Sequence, residues 1–111
     1  MAVIKLVDFT KFPLGRYEGD SSSSGEVFRK NWLLPALNKN DENIVVYLDG
    51  AKVAIGSSFL EEAFGGLIRH ENFTLNELNS RLSIDTTNDM YKVLISKYLN
   101  TAEEVRLKNK R

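Results

Sequence analysis

The middle of the chain carries a continuous apolar run, Ile44-Val45-Val46-Tyr47-Leu48, which Asp49-Gly50 closes. Such a run is typical of a central β-strand that is covered on both faces. Apolar pairs then recur every four residues, at positions 59/60, 63/64 and 67/68, which predicts an amphipathic helix shortly after the strand. A buried strand that leads into a helix is the unit from which α/β domains are built.

The N-terminal part of the chain predicts a strand, a loop and a helix. Residues 2–9 alternate imperfectly between apolar and polar types, which predicts a strand at or near a sheet edge. Residues 10–22 show no periodicity, so we expect one long flexible loop, of a length that is often functional. Ser23-Ser24-Gly25-Glu26 has capping-box spacing, so a helix is predicted from near Gly25, with Arg29 on its outward face. Pro35 should kink or end that helix.

The C-terminal part predicts two more helices and a strand. Thr74 and Glu77 have capping-box spacing for a short helix through Arg81, and residues 82–85 predict a short strand. A last helix over about residues 88–99 precedes a basic tail over about residues 101–111, which we expect to fray. Because each connection between strands is helical, residues 1–111 are predicted to form one α/β domain with a small mixed or largely parallel sheet flanked by helices.

The composition excludes several classes of function. The 15 basic and 15 acidic residues give zero net charge, which argues against broad nucleic-acid binding. The absence of cysteine excludes disulfide frameworks, Cys-ligated zinc and thiol nucleophiles. No apolar stretch approaches the ~20 residues that a membrane span needs. We therefore expect a cytoplasmic domain.

No pattern in the sequence predicts an active site. Gly56-Ser57-Ser58-Phe59 lacks the G-x-S-x-G pattern of a hydrolase, and residues 15–25 lack the lysine of a phosphate-binding loop. His70 is the sole histidine and stands near a helix end, where a capping or surface role is expected. Glu61 and Glu62 are interpreted as solvated charges, since neighbouring helical residues point about 100° apart. We expect no enzyme, no metal site and no cofactor.

Ser57 and Ser58 stand where the predicted strand turns into the helix. One hypothesis is that one of them is simply the N-cap of the helix. The other is that they form a phosphorylation site or a small anion site, because free backbone N–H groups and the positive end of the helix dipole lie beside them.

The outer face of the same helix is a second candidate, as an interaction surface. Gly65 and Gly66 each cost about 1 kcal/mol relative to alanine in a helix, so the close approach of another segment is expected there. That segment belongs either to this chain, for example the long loop, or to a partner protein. The candidate surface consists of Phe59, Glu61, Glu62, Gly65, Gly66 and Arg69.

Residues 44–70, with their Gly-Ser-Ser-Phe-Leu segment and Gly-Gly pair, resemble the STAS-like bacterial domains of unknown function. Gly15-Arg16-Tyr17, the segment from Ser24 to Arg29 and Leu34-Pro35-Ala36-Leu37 are similar to the first loop and helix of that family. The wider STAS superfamily, named for sulphate transporters and anti-sigma-factor antagonists, implies a sheet flanked by helices and non-enzymatic regulation.

The resemblance also implies a place for regulation. Some STAS domains are phosphorylated by an ATPase-like serine kinase on a serine at the head of the helix after the central strand, and Ser57 and Ser58 occupy that place here. Two positions depart from the pattern: Gly56 replaces the usual aspartate before the serines, and Phe59 replaces the glycine after them.

Residues and resemblance together predict a non-catalytic regulatory module that binds an ATPase or kinase-like protein through Ser57, Ser58 and the following helix. The alternative is a sensor of a small anionic ligand or nucleotide, in which Arg16 and the long loop close over the same helix N-terminus. Neither a membrane nor nucleic acid is expected as a partner, and the oligomeric state is left open.

Overall fold

The structure, a computed structural model, describes residues 1–39 and 42–109. One parallel three-stranded sheet has the order β1-β2-β3, with β1 at Ala2–Lys5, β2 at Ile44–Tyr47 and β3 at Leu82–Asp85. The α-helical segments of the described ranges are α1 (Leu6–Phe9), α2 (Gly25–Phe28), α3 (Leu34–Lys39), α4 (Ser57–Leu60), α5 (Gly66–Arg69), α6 (Leu75–Arg81) and α7 (Asp89–Asn109). The predicted α/β class with parallel strand pairing is confirmed.

Two π-helical turns each join a pair of these segments into one longer helix. α2, the π turn Arg29–Leu33 and α3 follow without a break and are called helix 25–39. In the same way, α4, the π turn Glu61–Gly65 and α5 form helix 57–69. Of the two outcomes predicted for Pro35, the proline does not end helix 25–39, which continues to Lys39. The Leu34 N–H donates to the carbonyl five residues back, so a wider turn accommodates the proline, which has no N–H.

The helices pack on one face of the sheet. Because the strands follow each other across the sheet in chain order, right-handed crossovers place both connecting segments on the same side. The register then puts two rows of apolar residues toward the helices: Ala2, Ile44 and Leu82, and Ile4, Val46 and Ile84. On the other face, Val3 and Tyr47 are 55% and 37% exposed. Within the described residues, the prediction that β2 is covered on both faces is therefore wrong.

Local capping explains where several elements begin. The Ser24 hydroxyl accepts from the Val27 N–H at 3.3 Å, which starts α2 at Gly25 as predicted. The predicted capping box itself is wrong, because the Glu26 carboxylate accepts from the Glu18 N–H at 2.8 Å instead of reaching back to Ser23. Thr74 and Glu77 form the predicted capping box of α6. β1 lies at a sheet edge, but it ends at Lys5, because residues 6–9 form the short helix α1.

The last helix is longer than the sequence indicates. α7 continues to Asn109, so the prediction that the chain frays after Thr101 is wrong for the described residues. The reason is that Ala102 is 5% exposed and packs in the core, so tertiary contacts hold the helix beyond Thr101. Lys110 and Arg111, which also belong to the predicted tail, lie outside the described residues. Among the helices of residues 1–39 and 42–109, none combines the length and hydropathy needed to cross a membrane.

Candidate functional site

Helix 57–69 begins with two exposed serines. Gly56 is its N-cap residue and has an extended backbone (φ −67°, ψ 143°), but it has no side chain with which to cap the helix. Ser57 and Ser58 are already helical and exposed, so the hypothesis that one of them is the N-cap is wrong. The N–H groups of the first helical turn have no intrahelical acceptor, and the two hydroxyls lie beside them.

The segment before the serines is held by the long loop instead of by a strand. The Pro13 carbonyl accepts from the Gly56 N–H at 3.2 Å, and the Lys11 carbonyl accepts from the Lys52 N–H at 2.7 Å. A Cβ atom at Gly56 would lie 3.5 Å from the Leu14 side chain. The loop over residues 11–14 therefore lies directly against the start of helix 57–69.

Three exposed apolar side chains lie on the two segments that this contact joins. Phe12, Leu14 and Val53 are 56%, 47% and 40% exposed, and we call them the loop patch. Phe12 and Leu14 flank Pro13, and Val53 lies between the two hydrogen bonds that fix the loop. Sequence reasoning missed the patch, because nothing local to a loop without periodicity indicates what it packs against.

Arg16 does not carry a free charge at the helix start. Its guanidinium donates to Glu61, about one turn beyond the serines, and to Glu62 at 3.4 Å. The hydrogen bond to Glu61 raises the pKa of Arg16. Burial alone would raise the pKa of Glu61, but hydrogen bonds from Arg69 and Arg16 outweigh it and lower that pKa. An anion at the serines would therefore have to compete with two carboxylates for Arg16.

A buried ion pair joins the two π turns. The Arg29 side chain is 2% exposed, and its Nη1 donates to Glu62 Oε2 at 2.8 Å and to the Glu62 carbonyl at 2.6 Å. Arg29 Nε donates to Glu71 at 3.0 Å, and Arg69 Nη2 donates to Glu62 at 3.2 Å. The interpretation of Glu62 as a solvated charge, like the outward placement of Arg29, is therefore wrong.

Gly66 makes room for this pair. A Cβ atom at Gly66 would collide with the Arg29 guanidinium, and one at Gly65 would lie 2.7 Å from the Glu61 carboxylate. At Gly66 the close approach is thus internal, and it comes from Arg29 on helix 25–39 instead of the long loop. At Gly65 the neighbouring side chains are Glu61 and Arg69 of the same helix.

The predicted interaction surface lies mostly inside the domain. Phe59, Glu62, Gly65 and Gly66 are buried, which corrects the prediction that they form an outer face. Only Glu61 and Arg69 keep side chains at the surface, at 22% and 34% exposure. Since the ion pairs account for both of them, this face offers no free charge to a partner.

His70 and the nearby cleft complete the region. His70 is the C-cap residue of α5, half exposed, with its Nε2 3.9 Å from Glu62 Oε2. A cleft of about 520 Å³ lies between helix 57–69 and α7, where Ile68, Ala102 and Val105 form apolar walls. Within residues 1–39 and 42–109, no three His, Cys, Asp or Glu side chains are grouped so as to hold a metal ion.

Comparison with known proteins identifies one family. A family model described as a STAS-like domain of unknown function matches residues 24–92, well over half of the chain. The matched range contains helix 25–39, β2, the two exposed serines and β3. No match is found among curated proteins or among solved structures.

Proposed function

Because the chain belongs to the family of STAS-like domains of unknown function, we propose that it is a non-catalytic regulatory module that binds a protein partner. The contact surface in this proposal is the start of helix 57–69 together with the loop patch. The observation that carries it has two parts. Two exposed serines begin a helix that has no side-chain cap, and the loop that bears Phe12 and Leu14 is hydrogen-bonded to Gly56 directly before them.

The two halves of this surface suit recognition and control. Apolar side chains at 40% to 56% exposure provide area that a partner could bury. A phosphoryl group on Ser57 or Ser58 would gain from the free N–H groups and the helix dipole, while it adds about −2 charges beside that apolar area. Phosphorylation would therefore weaken an apolar contact without unfolding the domain.

The partner class follows from the family resemblance. Some STAS domains are phosphorylated on a serine in this place by an ATPase-like serine kinase, so we expect an ATPase or kinase-like protein as the partner. The alternative, a sensor of an anionic ligand closed by Arg16, is less well supported, because Glu61 and Glu62 already bind that guanidinium. A nucleotide or phosphate that raises the melting temperature of the wild type, but not of Arg16→Ala, would favour the alternative.

The experiment compares proteins recovered with tagged full-length chains from the native host. Wild type, Leu14→Asp and Ser58→Asp are compared with the control Ser96→Asp, an exposed serine on α7. We expect an ATPase or kinase-like protein with the wild type and the control, and at least a severalfold loss with the other two. Equal recovery with all four chains, with matching melting temperatures, would contradict the proposed surface.

A further inference from the structure

One face of the sheet is open within the parts of the chain that the structure describes. Both crossovers lie on the opposite side, for the topological reason given above. The open face carries two rows of residues: Val3, Val45 and Ser83, then Lys5, Tyr47 and Asp85. Parallel sheets are normally covered on both faces, and residues 1–39 and 42–109 supply a layer for only one of them.

The second row has opposite charges at its two ends. Lys5 and Asp85 are both register partners of Tyr47, so they stand on the two edge strands with the tyrosine between them. Two strand spacings of about 4.8 Å separate their backbones. Both side chains are exposed, and neither forms an ion pair within residues 1–39 and 42–109.

We propose that this face binds a second copy of the chain. A two-fold axis that runs parallel to the strands, between two facing sheets, lays β1 of one copy over β3 of the other. Lys5 then lies opposite Asp85 of the second copy, and this contact occurs twice. The same axis places Tyr47 against its own counterpart, and Val45 likewise. An axis across the strands would put Lys5 against Val3 and pair no charges, so the charge pattern selects the first arrangement.

The size of the face sets the strength of the association. Three strands of four residues cover roughly 10 Å by 13 Å, far less than the ~800 Å² per partner of a standard interface. The dimer is therefore weak, with a dissociation constant on the order of 0.1–1 mM. In so small an interface, the two symmetric Lys–Asp contacts contribute a large share of the affinity.

The test is sedimentation equilibrium of the full chain over about 10 μM to about 1 mM, the range that such an affinity requires. Wild type is compared with Lys5→Asp, Asp85→Lys and the double variant that exchanges the two charges. Lys97→Asp on α7 is the matched control, because it makes the same charge change at an exposed position away from the face.

We expect a concentration-dependent dimer for the wild type and the control. Each single reversal should raise the dissociation constant by about tenfold, since it creates two like-charge contacts, and the double exchange should restore it. A monomeric wild type at all concentrations would overturn the proposal and leave the open face to a different protein. A dimer whose affinity is not restored by the double exchange would also overturn it.

Discussion

Removal of Arg29 from the buried ion pair tests the link between the two long helices. In Arg29→Met, the Glu62 carboxylate, whose side chain is 3% exposed, loses its 2.8 Å partner while it stays inside the domain. Breaking a buried pair on one side costs about 3–5 kcal/mol. Glu62 keeps Arg69 at 3.2 Å and Arg16 at 3.4 Å, so we expect a loss near the lower limit, about 3 kcal/mol.

The double variant Arg29→Met/Glu62→Leu separates an unpaired charge from lost packing. With both charges removed, apolar side chains fill the site, and the free energy of unfolding should return to within about 1 kcal/mol of the wild type. Lys30→Met removes only the exposed pair with Glu26 and should leave the free energy of unfolding almost unchanged.

Urea unfolding followed by far-ultraviolet circular dichroism measures all four proteins. A loss of less than about 1 kcal/mol in Arg29→Met, or a double variant less stable than the single one, would contradict the buried ion pair.

Three further predictions concern the same region. Gly66→Ala should lower the free energy of unfolding by about 1–3 kcal/mol, because the added methyl group collides with the buried Arg29 guanidinium. In the control Gly19→Ala, no atom lies within 4 Å of the new Cβ, so the free energy of unfolding should hardly change. Urea unfolding measures both. Hydrogen bonds from Arg69 and Arg16 lower the pKa of Glu61 below its ordinary value, so the ionised carboxylate stabilises the folded state, and this stabilisation is lost as the pH falls through the folded pKa. Glu61→Gln should therefore make the melting temperature less dependent on pH in this acid range. An unchanged pH dependence would contradict the ion-pair geometry. Ala102→Asp should lower the free energy of unfolding by about 2 kcal/mol, because it buries a charge where α7 meets helix 57–69. Glu104→Ala, at an exposed position of the same helix, is the control. An equal loss in the two variants would show that α7 does not pack at Ala102.

The elements that the sequence predicts correctly are those with local signals. The apolar run at Ile44–Tyr47, the serine cap before Gly25 and the Thr74–Glu77 box each fix a boundary through neighbouring residues, and the structure confirms all three. The parallel sheet follows from the helical connections. Hydrophobic pattern and capping are short-range properties, so a single sequence is enough to read them.

The errors arise where distant residues decide the outcome. The burial of Glu62 depends on Arg29, which lies 33 positions earlier, and on the space that Gly66 leaves between them. The length of α7 depends on the packing of Ala102 in the core. The open sheet face depends on the handedness of two crossovers taken together. In the candidate site, the sequence predicts the two serines from their place at the start of a helix. The loop patch is visible only in the structure, because it depends on the contact between Pro13 and Gly56.

The most direct measurement for the regulatory account is phosphosite mapping by intact mass and peptide mass spectrometry. The chain is isolated from its native host, across growth conditions, before and after phosphatase treatment. We predict a phosphatase-sensitive phosphoryl group on Ser57 or Ser58, the exposed serines at the uncapped helix start. An unmodified chain in every condition, or a phosphoryl group only at other positions, would contradict control through this surface.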